Sequence, residues 1–178
     1  MNREALEKVL PHLHIQTAYP TKVEATVASW FDRRQALSSF TRVNWTTGDI
    51  SVAEIVFPRE TEGEDERAAN FMKFLVCTRT RIVKREGQAI PADTEDLNDD
   101  DVVLDLKVDF AVEYAVANAN PDELPQEGVE EFAAHNMPYH LWPYYRQFAQ
   151  DMALRFQVPI PAIPSYRVPK SHQPTSTK

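Results

Sequence analysis

The sequence is poor in the residues that several large classes of protein require. Its only cysteine is Cys77, so no internal disulfide can form and an oxidising compartment is not indicated. The four glycines, Gly48, Gly63, Gly87 and Gly128, are scattered, which excludes a glycine-rich dinucleotide fingerprint and a P-loop. No apolar run approaches the roughly 18 residues of a membrane span, and the N-terminus lacks the apolar core of a secretory signal. We therefore expect a soluble cytoplasmic protein that does not insert into a membrane.

Positive charge is also scarce. The chain has 19 Lys+Arg against 27 Asp+Glu, a net charge of −8, which argues against nucleic acid as the main partner. Acidic residues are concentrated in the polar segments 58–70 and 85–101, which we interpret either as solvated connections or as gates over a binding groove.

A chain of 178 residues fits one domain. We predict that this domain spans residues 1–168 and that a disordered polar tail covers 169–178.

Signatures of catalysis and metal binding are missing. His12 and His14 are two residues apart and would share one face of a strand, but a zinc site needs three or four converging ligands. Cys77 lies in the middle of a predicted strand, where a cysteine is usually a small buried hydrophobe rather than a nucleophile. No known catalytic motif occurs, and paired carboxylates for acid–base work cannot be picked out. We predict no metal, no cofactor and no enzymatic activity.

Four segments have the composition of strands, namely 12–31, 41–57, 71–84 and 102–116. The fourth alternates best, with Leu104, Leu106, Val108, Phe110, Val112 and Tyr114 opposed to Asp105, Lys107, Asp109, Ala111 and Glu113. A period of two over this length predicts one buried and one wet face. No helical pattern separates the strands, so we expect an antiparallel sheet. Pro20 predicts an edge or a bulge in the first strand, and Thr47–Asp49 a turn that could split the second.

The N-terminus has the pattern of a short amphipathic helix. Asn2 suits the N-cap and Pro11 ends the element. The spacing i, i+3, i+4, i+7 places one set of apolar side chains on a common face: Leu6, Val9, Leu10 and Leu13. A helix this short is marginal in water, so it needs a partner surface.

The C-terminal third predicts a second helix. We expect a short helical piece around 126–135 and a main helix that starts near His140, with Pro143 in its first turn and a stop at Pro159. Aromatic and apolar side chains recur on one face: Tyr145, Phe148, Met152 and Phe156. This stripe, with the N-terminal helix, gives more apolar surface than one sheet face obviously needs. Such a surplus indicates an oligomer interface or a site for an apolar partner.

Two short motifs resemble those of a known family. Residues 141–146, Leu-Trp-Pro-Tyr-Tyr-Arg, resemble the Leu-Phe-Pro-Tyr-x-Arg signature that opens the long helix of the SecB-type protein-export chaperones. Pro159 follows Pro143 by sixteen residues, as in that family, and Ile15-Gln16-x-x-Tyr19 resembles its first strand. The similarity in organisation covers residues 12–168. The N-terminal helix, and the absence of a further helix after Val168, are closer to the SecB-like chaperones associated with toxin–antitoxin systems.

This resemblance implies an α+β fold, in which a four-stranded antiparallel sheet carries a short N-terminal and a long C-terminal helix. It implies a homotetramer built as a dimer of dimers, which holds unfolded or partly folded polypeptide in hydrophobic grooves without ATP. The implied clients are nascent exported proteins or an antitoxin. Export members also present acidic residues to the translocase motor ATPase; this chain has Lys22 and Thr26 at the matching positions of the first strand, and its candidates for that acidic patch are Asp105, Asp109 and Glu113.

Candidate client-binding residues come from the two predicted helices: Leu6, Val9, Leu10, Trp142, Tyr145, Phe148 and Met152. For Tyr145 and Phe148, packing inside the protein explains the pattern as well as a client does. An alternative from another class is a helix-grip protein, in which a curved sheet and a C-terminal helix enclose a small hydrophobic ligand in a cavity of a few hundred Å³.

Overall fold

One antiparallel sheet with a long helix across one face forms the molecule. A computed structural model describes residues 2–57, 67–85, 87, 97–161, 163 and 166. The elements are α1 (Arg3–Glu7), β1 (Leu13–Val27), β2 (Ser39–Phe57), β3 (Arg67–Lys84), β4 (Val102–Val116) and α2 (Gln126–Arg155). Short 3₁₀ turns cover Leu10–His12, Asp99–Asp101 and Pro121–Glu123. The predicted α+β class is confirmed, with four strands in the predicted segments; the predicted disordered tail lies outside the described residues.

The strands lie in the order β1-β4-β3-β2, and all neighbours are antiparallel. Because β1 and β2 are consecutive in the chain but form opposite edges, their connection, residues 28–38, crosses one end of the sheet. Two backbone hydrogen bonds fix its ends: Ala28 N donates to Val103 O at 2.9 Å, and Arg85 N donates to Ser38 O at 2.8 Å. Pro20 lies in an edge strand beside a register shift, as predicted.

The predicted turn in the second strand is a bulge instead. β2 stays paired with β3 on both sides of Gly48 and Asp49, and the register shifts between Thr47 and Ile50. A bulge absorbs extra residues without ending the ladder, so the glycine pattern bends the strand rather than dividing it.

The alternation predicted for β4 is confirmed. Its six even-numbered side chains from Leu104 to Tyr114 are buried on the face beneath α2, and the odd-numbered ones point to the other face. In β3 the same side carries Thr78 and Thr80, whose hydroxyl groups are satisfied by hydrogen bonds. The prediction that Cys77 is buried is wrong, because its position in the pleat puts it on the exposed outer face.

The predicted start of the main helix is also wrong. α2 is one continuous helix of 30 residues, and Pro138 and Pro143 both lie inside it. Each proline removes one N–H and leaves a carbonyl four residues earlier without its helical partner. These carbonyls belong to Ala134 and Tyr139, which are exposed to water. Packing along the sheet therefore holds the helix together where local rules predict a boundary.

The helix ends in a Schellman motif before Pro159. Val158 N donates to Ala153 O at 2.9 Å, and Gln157 N donates to Leu154 O at 3.0 Å. Gln157 takes the left-handed conformation that this motif requires, with φ 58°. Val158 is buried, so the chain leaves the helix towards the core rather than into solvent.

α1 docks on the start of α2. Asn2 caps it as predicted, since Ala5 N donates to Asn2 Oδ1 at 3.2 Å. The contact requires Gly128: a Cβ atom there would lie 2.6 Å from Val9 Cγ2 and closer still to the Ala5 carbonyl oxygen. Asn2 N also donates to Glu131 Oε1 at 2.6 Å. The partner surface that this short helix needs is therefore within the same chain.

Candidate functional site

A cluster of aromatic rings lies between α2 and the edge strand β2. The Trp142 ring centroid is 5.8 Å from that of Trp45, 5.1 Å from Tyr145 and 5.5 Å from Tyr166. Tyr166 is also 5.9 Å from Trp45 and 6.5 Å from Tyr139. We call the surface formed by Trp45, Tyr139 and Trp142, with Tyr145 as its floor, the aromatic groove.

The topology explains why this surface is open. Trp45 pairs with Thr78 and points to the face of the sheet that α2 covers. In the sheet formed by the described residues β2 is an edge strand, and Trp45 remains 40% exposed. Trp142 is half-buried on the flank of α2, and Tyr139, one helical turn earlier, is exposed. Large exposed aromatic side chains at one site are typical of surfaces that bind a partner.

The floor of the groove is rigid and closed. Tyr145 is 2% exposed, and its hydroxyl shares a hydrogen bond with Thr80 at 2.7 Å. Burial raises the pKa of Tyr145 to about 12, although the Thr80 hydrogen bond acts in the opposite direction. The space left between helix and sheet beside Val43, Val76 and Leu141 is only about 10 Å³. The groove can accept side chains from outside, and the described residues beneath it leave no room for a small ligand.

A wider cleft of about 370 Å³ continues over the outer side of α2. Its lining is mostly aromatic and apolar, with one arginine: Ile15, Tyr139, His140, Trp142, Pro143, Tyr144, Arg146 and Tyr166. Two side chains of this cleft, Tyr139 and Trp142, also belong to the aromatic groove, so the two surfaces are continuous. Together they offer flat ring faces and few polar groups, which suits apolar side chains of varied shape.

One buried polar contact ties the helix to the sheet beside this cleft. The Tyr114 hydroxyl lies 3.0 Å from His140 Nδ1. Burial raises the pKa of Tyr114 far above its usual range and lowers the pKa of His140. Both groups are therefore neutral near pH 7, and the contact is a hydrogen bond between uncharged partners.

Two predicted client-binding residues are buried in this fold. Leu6 in α1 is 6% exposed, and Val9, which follows α1 and packs at Gly128 of α2, is 0% exposed. The interpretation that the N-terminal helix cannot hide its apolar face within one chain is wrong for this pair. Leu10 is at the margin of exposure, in the turn after α1. This turn follows the contact between α1 and Gly128 of α2. Gly128 is about 21 Å along the helix from Trp142.

The other predicted client-binding residues all lie on α2. Trp142 forms a wall of the aromatic groove and Tyr145 its floor. Phe148 and Met152 are half-buried further along α2, and Phe148 packs edge-to-face on Phe110 at 5.7 Å. Most of the aromatic stripe is thus covered by the sheet, and the surplus that the sequence indicates is smaller than expected. Client binding at these residues stays a prediction.

The candidate acidic patch lies on the outer face of the sheet, among cations. Asp105 accepts two hydrogen bonds from Arg79, at 2.9 and 2.7 Å, and this guanidinium lowers the pKa of the carboxyl group. Asp109 is paired in register with Lys22. Glu113 accepts a hydrogen bond at 2.6 Å from a tyrosine hydroxyl of β1. The three carboxylates are on one face as predicted, but that face has mixed rather than acidic charge.

Sequence reasoning missed three members of the cluster, namely Trp45, Tyr139 and Tyr166. Trp45 is visible as a large aromatic residue within a strand, but its exposure depends on β2 being an edge. Tyr139 is outside the apolar period of the helix, and Tyr166 follows it in a proline-rich segment. Their proximity depends on the strand order and on the path of the chain after α2, which local patterns do not encode.

The fold defined by this geometry is a single antiparallel sheet of order β1-β4-β3-β2 with a long helix across one face. It is the SecB-like fold. A SecB-like chaperone of Mycobacterium tuberculosis, solved in complex with a ChAD peptide from an antitoxin, matches with a TM-score of 0.57 and 14% sequence identity. The match covers 93% of this chain and 99% of that one. The resemblance stated from the two short motifs is thus confirmed at the level of the fold.

Comparisons at the level of sequence found less. No protein-family model matches the chain. No curated protein matches it either.

Within residues 2–57, 67–85, 87 and 97–161, no helix has the length and apolar character needed to cross a bilayer. In the same part of the chain, no three His, Cys, Asp or Glu side chains gather as the ligands of a metal ion would.

Proposed function

We propose that this chain is a holdase, which binds unfolded or partly folded polypeptide in the aromatic groove without ATP and without catalysis. The observation that carries the proposal is the exposure of Trp45 and Tyr139 beside half-buried Trp142 on a fold shared with a peptide-binding chaperone. A protein that binds only the unfolded state of a client lowers its free concentration by mass action, and this limits aggregation.

The groove has the properties that sequence-tolerant binding requires. Aromatic faces gain energy from many apolar side chains at a low cost in side-chain entropy. Among the described strands β2 pairs with β3 alone, so the backbone N–H and C=O groups on its outer edge beside Trp45 have no partner strand there. An extended client segment can pair with this edge through its backbone while its side chains enter the groove.

Clients and other partners are part of the same proposal. The related structure holds a peptide from an antitoxin, which favours an antitoxin over an exported protein as the client of this chain. A role in export would also involve the translocase motor. The mixed charge around Asp105, Asp109 and Glu113 gives less support to such an acidic docking face.

The small-ligand alternative is not favoured. A helix-grip protein needs an enclosed cavity of a few hundred Å³ between helix and sheet. In the described part of this chain, the space beneath Trp142 and Tyr145 is about 10 Å³. The cleft of about 370 Å³ is open on the outside of the helix, which fits a polypeptide better than an enclosed ligand.

Light scattering from a thermolabile reporter protein tests the proposal. We expect wild-type protein at a stoichiometric ratio to suppress aggregation and Trp45→Ser to lose most of this effect. Val56→Ser is the matched control, because Val56 is 54% exposed on the same strand and the same face, roughly 30 Å from Trp45. No suppression by the wild type, with circular dichroism showing a folded protein, would reject the holdase function. Equal losses in both variants would reject the groove.

A further inference from the structure

The chain turns back on itself after α2. The Schellman motif at Gln157 reverses its direction, and Val158 and Ile163 are both buried. Ile163, at 1% exposed, belongs to the same apolar core as Tyr145. Tyr166 then reaches Trp142, which is about 20 Å back along the helix from its end. The ten residues from Gln157 to Tyr166 are long enough to span this distance.

Tyr166 fills the aromatic groove from its open side. Its ring contacts both walls, Trp45 on the strand at 5.9 Å and Trp142 on the helix at 5.5 Å. Burial raises the pKa of Tyr166, so its hydroxyl is neutral at physiological pH. Pro159 and Pro161 precede it, and the ring of each proline fixes its own backbone φ at about −65°. The groove therefore already holds part of the segment that follows α2, through the ring of Tyr166, and three residues earlier Ile163 is buried in the core that includes the groove floor, Tyr145.

We propose that this segment is an internal competitor for the polypeptide-binding groove, and that clients bind by displacing Tyr166. This inference rests on the proposed function and adds which polypeptide segments the same site prefers. It assigns as preferred partner an extended apolar segment in which an aliphatic residue precedes an aromatic residue by three positions. Such a segment offers an aromatic side chain in place of Tyr166 in the groove and an aliphatic one in place of Ile163 in the core.

Two consequences follow from an occupied groove. The apparent affinity for a client is reduced by the fraction of molecules in which Tyr166 has left. In the absence of a client, Tyr166 covers part of Trp45 and Trp142, which limits association of the empty protein through its apolar surface. Loss of the Tyr166 ring is therefore expected to raise the affinity for a client. Loss of a wall of the groove, such as the Trp45 ring, is expected to lower it.

The experiment measures binding of a fluorescein-labelled peptide of residues 159–168, added to the full-length protein, by fluorescence anisotropy. We expect Tyr166→Ser to bind the peptide on the order of fivefold more tightly than wild type, the equivalent of one or two lost aromatic contacts. Tyr166→Phe keeps the ring and is expected to keep the wild-type Kd. Val56→Ser is a second control that leaves the groove and the segment intact.

The outcomes separate this inference from the function on which it rests. Equal or weaker peptide binding by Tyr166→Ser, with its circular dichroism spectrum unchanged, overturns the internal competitor. So does suppression of client aggregation by all variants without any binding of the peptide. If neither peptide nor client protein binds to any variant, the proposed holdase function is overturned, and the inference with it.

Discussion

At the scale of single residues, two backbone positions decide how the ends of α2 are joined to the rest of the molecule. Gly128 permits α1 to approach the helix backbone, and Gln157 reverses the chain at the other end. Neither residue belongs to a motif that sequence reasoning singled out. Each position can be tested by a substitution. The substitution changes the free energy of unfolding in one direction if the observed backbone geometry is present and in the other direction if it is absent.

Replacing Gly128 with alanine is expected to lower the free energy of unfolding by about 2 kcal/mol, because the new Cβ atom overlaps α1. Without that contact the same change would raise stability by about 1 kcal/mol, since alanine is the better helix former. Urea denaturation measures the difference, with exposed Gln147→Ala as a control expected to stay within about 0.5 kcal/mol. A stabilised Gly128→Ala protein would contradict the docking of α1.

Gln157→Gly is expected to raise the free energy of unfolding by about 0.5–1 kcal/mol, because glycine adopts the left-handed conformation without steric cost. The control is Phe156→Gly, one residue earlier, where φ is −82° and the conformation is right-handed. That change is expected to destabilise the protein. Thermal unfolding of both variants compares them, and a destabilised Gln157→Gly protein would argue against the Schellman motif.

At the scale of elements, the sequence predicts those parts whose patterns are local. The bounds of β4, Val102–Val116, agree with the prediction because its alternation is uninterrupted. The start of α2 does not agree, since Pro143 satisfies the local rule for a first turn while the sheet beneath supports a longer helix. The aromatic groove could not be predicted, because it depends on which strand forms the edge. Local patterns determine the elements here, and topology determines the site.

The packing of α2 on the sheet is expected to weaken below neutral pH through His140. Burial lowers its pKa in the folded protein, so the unfolded chain binds the proton more readily. The stability from the neutral ring is therefore present above the unfolded pKa of about 6.5, and it is lost as pH falls from there through the folded pKa.

Urea denaturation between pH 5 and pH 8 tests this dependence. His140→Asn keeps a polar atom near Tyr114 but does not titrate, so we expect a flatter profile of unfolding free energy against pH for this variant. His14→Gln, at an exposed position, is expected to leave the wild-type profile unchanged. A wild-type profile that His140→Asn does not alter would reject the role of His140.

At the scale of the whole molecule, the resemblance predicts a tetramer, and two free surfaces are compatible with it. β1 is an edge strand, and Leu154 is 70% exposed on α2 and does not line the cleft beside Tyr139 and Trp142. Four chains of 20.4 kDa give about 82 kDa. Light scattering coupled to size exclusion is expected to give this mass, and a mass near 20 kDa would reject the assembly while leaving the groove untested. Leu154→Glu is expected to dissociate the tetramer without unfolding the chain.

The central claim, that client polypeptide binds in the aromatic groove, is tested most directly by the three tryptophans of the chain. Trp45 and Trp142 belong to the groove, whereas Trp30 lies in the connection between β1 and β2 and has Lys84 over its ring. Their indole N–H signals in a ¹⁵N-labelled protein are separate reporters within one spectrum. When an unlabelled unfolded client is added, we expect the Trp45 and Trp142 signals to shift or broaden and the Trp30 signal to change least. A bound client that alters Trp30 and leaves Trp45 and Trp142 unchanged would contradict this account.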